Sequence, residues 1–99
     1  MKRVVITGVG AVSALGGDVG SLLSGIEQGK SGVRRMEGWE AYKGLRSLVA
    51  APAELKDEKK IPRKNRRSMG RMSIFAVQAS EQALADAGLD MEILSSGRV

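Results

Sequence analysis

Residues 3–18 read RVVITGVGAVSALGGD, and this stretch decides the fold class. Its opening holds three consecutive β-branched apolar residues, Val4, Val5 and Ile6, with no polar alternation. Such a run predicts a strand buried on both faces, over Arg3 to Thr7. Glycines then fall at 8, 10, 16 and 17. Their density predicts a tight, irregular turn whose backbone passes close to a neighbour. Asp18 stands where it can cap a helix running to about Gln28, with Leu22, Leu23 and Ile26 at helical spacing. Gly29 and Gly32 stop that helix. Strand, glycine turn and helix in this order open an α/β unit.

Further along, Met69, Met72, Ala76, Ala79, Ala83 and Ala87 recur at steps of three and four. That spacing predicts a helix from about Asn65 to Ala87, with Gly88 at its end. Ile74, Phe75, Val77 and Leu84 add apolar residues on other faces, so burial on several sides is expected, with Met69 and Met72 as core filler. The alanines would let another backbone approach closely. Between the two helices the pattern is weaker. Trp39 and Tyr42 can anchor a loop, Leu45 to Ala50 reads as a short strand ended by Pro52, and Glu54 to Lys60 is charged and expected to be exposed.

The chain has 99 residues, three aromatic residues and a net charge of +5. The charge is local. Lys59, Lys60, Arg63, Lys64, Arg66, Arg67 and Arg71 hold seven of the sixteen basic side chains with no acid among them. The other nine face all eleven acids. A confined basic patch predicts an anionic partner rather than a generally cationic protein. No stretch reaches the roughly 20 apolar residues of a membrane span. Lys2 and Arg3 ahead of an apolar run resemble a signal peptide. The run is broken by Gly8 and Gly10 and carries Thr7 and Ser13, which disfavours secretion. The absence of cysteine excludes a disulfide framework and suits a reducing compartment, so a cytoplasmic location is expected.

One clear strand, one short strand and two helices do not close a domain. A strand buried on both faces needs partners on both edges. The sequence therefore reads as an incomplete part of a larger α/β domain spanning 1–99.

Histidine is absent as well as cysteine. Thr7, Ser13 and Ser73 have no imidazole base and make poor nucleophiles. Gly8, Gly10 and Ser13 imitate a dinucleotide fingerprint, but its third glycine is missing and no acid follows at the required distance. Neither a cofactor nor a metal is expected. The acid pairs Glu37/Glu40 and Asp57/Glu58 lack a supporting constellation and are expected at the surface.

Three segments in order carry a resemblance: RVVITGVGAVSALGGD, then LLSGIEQGKSGV, then IPRKNRRSMGRMSIFAVQASEQALADAGL. Together they resemble the N-terminal region of β-ketoacyl-[acyl-carrier-protein] synthases, the condensing enzymes of fatty-acid and polyketide synthesis. The resemblance covers essentially the whole chain but only the opening portion of a family enzyme. It implies a thiolase-like layered αβαβα fold, of which this would be the incomplete N-terminal part, and a homodimer. It also implies acyl-chain elongation by decarboxylative Claisen condensation with malonyl-carrier protein. A cysteine thiolate and histidines carry that chemistry in the family, and no catalytic residue maps onto this chain.

What the resemblance does carry over is a docking surface for acyl carrier protein, which is acidic. By motif position Lys64 and Arg67 match it best, with Arg63, Arg66 and Arg71 as additions. Many relatives carry a further base where this chain has Ser68. Cations at a helix N-terminus oppose the macrodipole, so the cluster calls for an anion there. The alternative reading is a small non-enzymatic module that binds an acidic protein or nucleic acid. Nucleic acid is disfavoured because no aromatic stacking platform adjoins the basic run.

Overall fold

In the computed structural model, which describes residues 2–99, the chain is organised around one long helix. Helix α1 spans Val19–Glu27, and the two-residue strands β1 (Arg34–Arg35) and β2 (Val49–Ala50) follow. A one-turn helix α2 (Arg63–Arg66), the long helix α3 (Arg71–Ala87) and a short α4 (Met91–Ser95) complete it. Single 3-10 turns lie at Trp39–Ala41 and Glu58–Lys60.

Local chemistry sets the helix ends. Asp18 accepts from the Ser21 N–H at 2.7 Å and starts α1 as expected. That backbone bond, with the Ser21 hydroxyl adding to it, holds the Asp18 carboxyl below its ordinary value. Gly88 closes α3 at φ 70°, a left-handed C-cap that suits glycine. Asp90 caps α4 by accepting from the Ile93 N–H at 2.9 Å.

The glycine turn lies against α3. A Cβ on Gly8 would meet Ala83 O and come within 2.6 Å of Ala87 N. A Cβ on Gly10 would meet Ala79 O and come within 2.9 Å of Ala83 N. The expected close approach is therefore real, and the alanine spacing of α3 is what admits it. Two polar side chains of α3 lock the contact. The Val9 N–H donates to Asp86 Oδ2 and the Ala11 N–H donates to Gln82 Oε1, both at 3.1 Å. Gln82 Nε2 donates in turn to Gly17 O.

Several expectations are corrected. Residues 3–7 form no strand, and Val4, Val5 and Ile6 are exposed. A strand exists only through a neighbour, and no described segment pairs with this one. The one sheet among the described residues is the antiparallel pair of β1 with β2, Arg34 opposite Ala50 and Arg35 opposite Val49. So the short strand expected at 45–50 shrinks to its last two residues. The helix expected from Asn65 to Ala87 is two helices, because the chain leaves helical geometry between Arg67 and Gly70. Nor is α3 buried on several faces. Only its Ile74 is buried, Met69 is half-buried and Met72 is 83% exposed.

The hydrophobic core among the described residues is Ile61 and Ile74. The radius of gyration is 17.4 Å, where a compact domain of this length has about 13 Å. Apolar surface that a closed domain would bury stays uncovered in these 99 residues. No helix among the described residues is long and apolar enough to cross a membrane.

Candidate functional site: the basic turn before α3

Ile61 is buried and fixes the start of the basic segment. Pro62 follows at φ −53° and ψ 137°, with its carbonyl accepting from the Asn65 and Arg66 N–H groups at 2.9 Å each. Proline suits this place, since its missing N–H would have had no helical partner. The turn continues as the Arg67 N–H donates to Arg63 O at 3.0 Å. The Ser68 hydroxyl donates to Asn65 O at 3.2 Å, and the Met69 N–H donates to Arg66 O at 3.0 Å.

This geometry sorts the basic residues. Arg63, Lys64 and Arg67 line one shallow surface concavity. Their spacing of three and four along a helical turn puts them on one side. All three are exposed, while Arg66 is half-buried beside them. Arg71 is placed elsewhere. Its guanidinium donates to Ala53 O at 2.9 Å and lies 5.4 Å from the Phe75 ring centroid. Arg71 thereby ties residues 52–54 to the first turn of α3 and does not join the concavity.

The electrostatics differ from the sequence expectation. Arg63, Lys64 and Arg66 belong to the one-turn helix α2, whose first and last turns coincide, so its dipole neither favours nor opposes them as a set. Only Arg71 stands at the N-terminus of α3. What destabilises the cluster is direct repulsion, about 0.2–0.5 kcal/mol for each like-charged pair one turn apart. The ion pairs among the described residues are Lys56 with Glu54 at 3.1 Å and Lys60 with Asp57 at 3.9 Å. Arg63, Lys64, Arg66 and Arg67 have none. A concavity rimmed by three cations without counter-charges can hold an anionic group but supplies no nucleophile or proton acceptor.

A second, open cleft lies between the glycine turn, residues 52–57 and α3, lined by Leu15, Ser21, Pro52, Arg71 and Gln78 among others. Its one hydroxyl set against a carboxylate, Ser21 with Asp18, belongs to the cap of α1. Sequence reasoning missed Gln82 and Asp86, which hold the glycine turn. Their signal was present: two polar side chains four residues apart in an alanine-rich helix share a face. Asn65, whose carbonyl receives Ser68, left no such signal.

Comparison with known proteins identifies the family. The family model described as the beta-ketoacyl synthase N-terminal domain matches residues 1–99. The 3-oxoacyl-[acyl-carrier-protein] synthase 1 of Escherichia coli K12 is 40% identical over 92 residues, covering 93% of this chain and 22% of its own length. Nodulation protein E of Rhizobium meliloti is 36% identical over 88 residues, again over 22% of its length. The crystal structure of a beta-ketoacyl synthase from Burkholderia phymatum superposes with a TM-score of 0.76 at 47% identity, over 93% of this chain and 23% of the other. The chain thus spans about a fifth of the relatives it matches. Matched along its whole length by one family model, this chain belongs to the beta-ketoacyl synthase family and corresponds to its N-terminal domain.

Proposed function

We propose that these residues are the N-terminal part of a β-ketoacyl-[acyl-carrier-protein] synthase that elongates acyl chains in fatty-acid synthesis. The reaction is decarboxylative condensation of malonyl-carrier protein onto an enzyme-bound acyl group. The parent enzyme has the thiolase-like layered αβαβα fold, is a cytoplasmic homodimer and includes residues 1–99 in one synthase domain. The thiolate and imidazoles of the reaction come from outside residues 1–99, which contain no cysteine or histidine. The segment contributes recognition: Arg63, Lys64 and Arg67 receive acidic side chains of acyl carrier protein, with Arg66 adding charge beside them.

The observation that carries this reading is the convergence of three unpaired cations on one concavity, in a chain matched throughout by the synthase family. Exposed cations of this kind speed and orient encounter with an acidic partner, and the effect is screened by salt. The test measures acyl-carrier-protein affinity of the full-length synthase and of its Lys64→Glu, Arg67→Glu double variant. The variant's affinity is expected to fall by at least about tenfold, and the parent's affinity to weaken with salt more steeply than the variant's. Unchanged affinity would sink the docking assignment. Duplex DNA serves as the comparison ligand, and preference for it over the carrier would favour a nucleic-acid module. Purified 1–99 is expected to release no CO₂ from malonyl-carrier protein.

A further inference from the structure

Ser68 sits at the edge of the basic turn, exposed, four residues after Lys64 and next to Arg67. Arg67 keeps φ −54° and ψ −34°, and the chain leaves helical geometry just after it, at Ser68. Ser68 directly follows the turn that carries Lys64 and Arg67, and its hydroxyl folds back onto that turn at Asn65 O. Its hydroxyl is committed only to Asn65 O, at 3.2 Å. Arg63, Lys64, Arg66 and Arg67 all lie within the five residues before it, and no acid stands between Lys59 and Arg71.

We propose that Ser68 is a phosphorylation site that switches the basic concavity off. The inference rests on the docking reading above. A protein kinase that selects serines preceded by cations transfers the γ-phosphoryl group of a nucleoside triphosphate to Ser68 Oγ. The Oγ–phosphorus bond forms, the bond from phosphorus to the β,γ-bridging oxygen breaks, nucleoside diphosphate leaves and the hydroxyl proton passes to the kinase's base. The product carries a charge of about −1.5 to −2 at pH 7 and three acceptor oxygens. Beside Lys64 and Arg67 it forms charge-assisted hydrogen bonds with the cations that would otherwise meet the partner. The concavity is then filled from within the chain, and an acidic partner meets like charge. Ser73 and Ser80 are also exposed, but they lie within α3, where no comparable cluster surrounds them.

The experiment has two arms. Protein recovered from its own cells is cut after glutamate, which isolates Lys59–Glu81. Fragmentation is expected to place one phosphoryl group on Ser68 rather than on Ser73 or Ser80. Its absence from Ser68 at every growth stage overturns the proposal. In the second arm, full-length synthase carrying phosphoserine at 68 is titrated with acyl carrier protein. Affinity is expected to fall about tenfold, to recover on phosphatase treatment and to stay unchanged in Ser68→Ala. Undiminished affinity with phosphoserine present overturns the switch. If Lys64→Glu, Arg67→Glu still weakens binding in that case, the docking reading survives. If neither change matters, both readings fall.

Discussion

Replacing Gly10 with alanine asks for space that α3 does not leave. The new Cβ would meet Ala79 O and lie 2.9 Å from both the Ala79 carbonyl carbon and Ala83 N. Ordinary contact begins at 3.4 Å, so the loop must withdraw by more than the 0.5 Å these two atoms demand, because Ala79 O lies nearer still. Both obstacles are helix backbone and cannot rotate aside. Overpacking of this kind costs about 1–3 kcal/mol. Withdrawal also stretches the 3.1 Å bond from the Ala11 N–H to Gln82, worth about 0.5–1.5 kcal/mol. The sum is roughly 1.5–4.5 kcal/mol. Gly17→Ala is the control, since nothing lies within 4 Å of a Cβ there, and it should stay within about 0.5 kcal/mol of the parent. Urea midpoints of the full-length synthase report the difference, and hydrogen exchange at the Ala11 amide locates it. If Gly10→Ala melts with Gly17→Ala, the loop does not rest on α3 as described.

Other outcomes follow from the same contacts. Arg71→Ala removes the bond to Ala53 O and the contact with Phe75, and should cost about 1 kcal/mol while leaving carrier affinity nearly unchanged. Asp57 holds φ 55°, the one positive value outside glycine among the described residues, so Asp57→Gly should add up to about 1 kcal/mol of stability, read as a higher urea midpoint. Because the Asp18 carboxyl is depressed, its cap is in force above the unfolded value near 3.8 and is lost as pH falls through the folded value. Protection of the Ser21 amide relative to its intrinsic exchange rate should therefore fall below about pH 4, and Asp18→Asn should remove that pH dependence. The isolated 99 residues, with Ile61 and Ile74 as their core, should melt without a cooperative transition.

Much of the local structure was legible because it depends on near neighbours. Asp18 and Gly88 announce helix ends through the needs of the next few residues, and both serve as read. The close approach at Gly8 and Gly10 was legible from glycine facing alanine. What failed depends on distant partners or on small margins. Val4 to Ile6 carry strong strand character, yet pairing is a property of two segments. Arg34–Arg35 pairs with Val49–Ala50 although two adjacent arginines have little strand character of their own. The break between α2 and α3 hides behind Ser68 and Met69, which a helix tolerates; only Gly70 marked it. The basic cluster was legible as a count of charges. Its division, with Arg71 turned toward Ala53 and three others converging, required the turn itself.

Gln82 receives a proton donor from Ala11 and offers one to Gly17. Opposite polarities at the two ends of one side chain make the position a chemical sieve. Glutamate would keep the first bond and set negative charge against the Gly17 oxygen. Lysine would keep the second and confront the Ala11 N–H with another donor. Only a carboxamide of this length meets both demands, so a single uncharged group sets how two stretches more than sixty residues apart are spliced together.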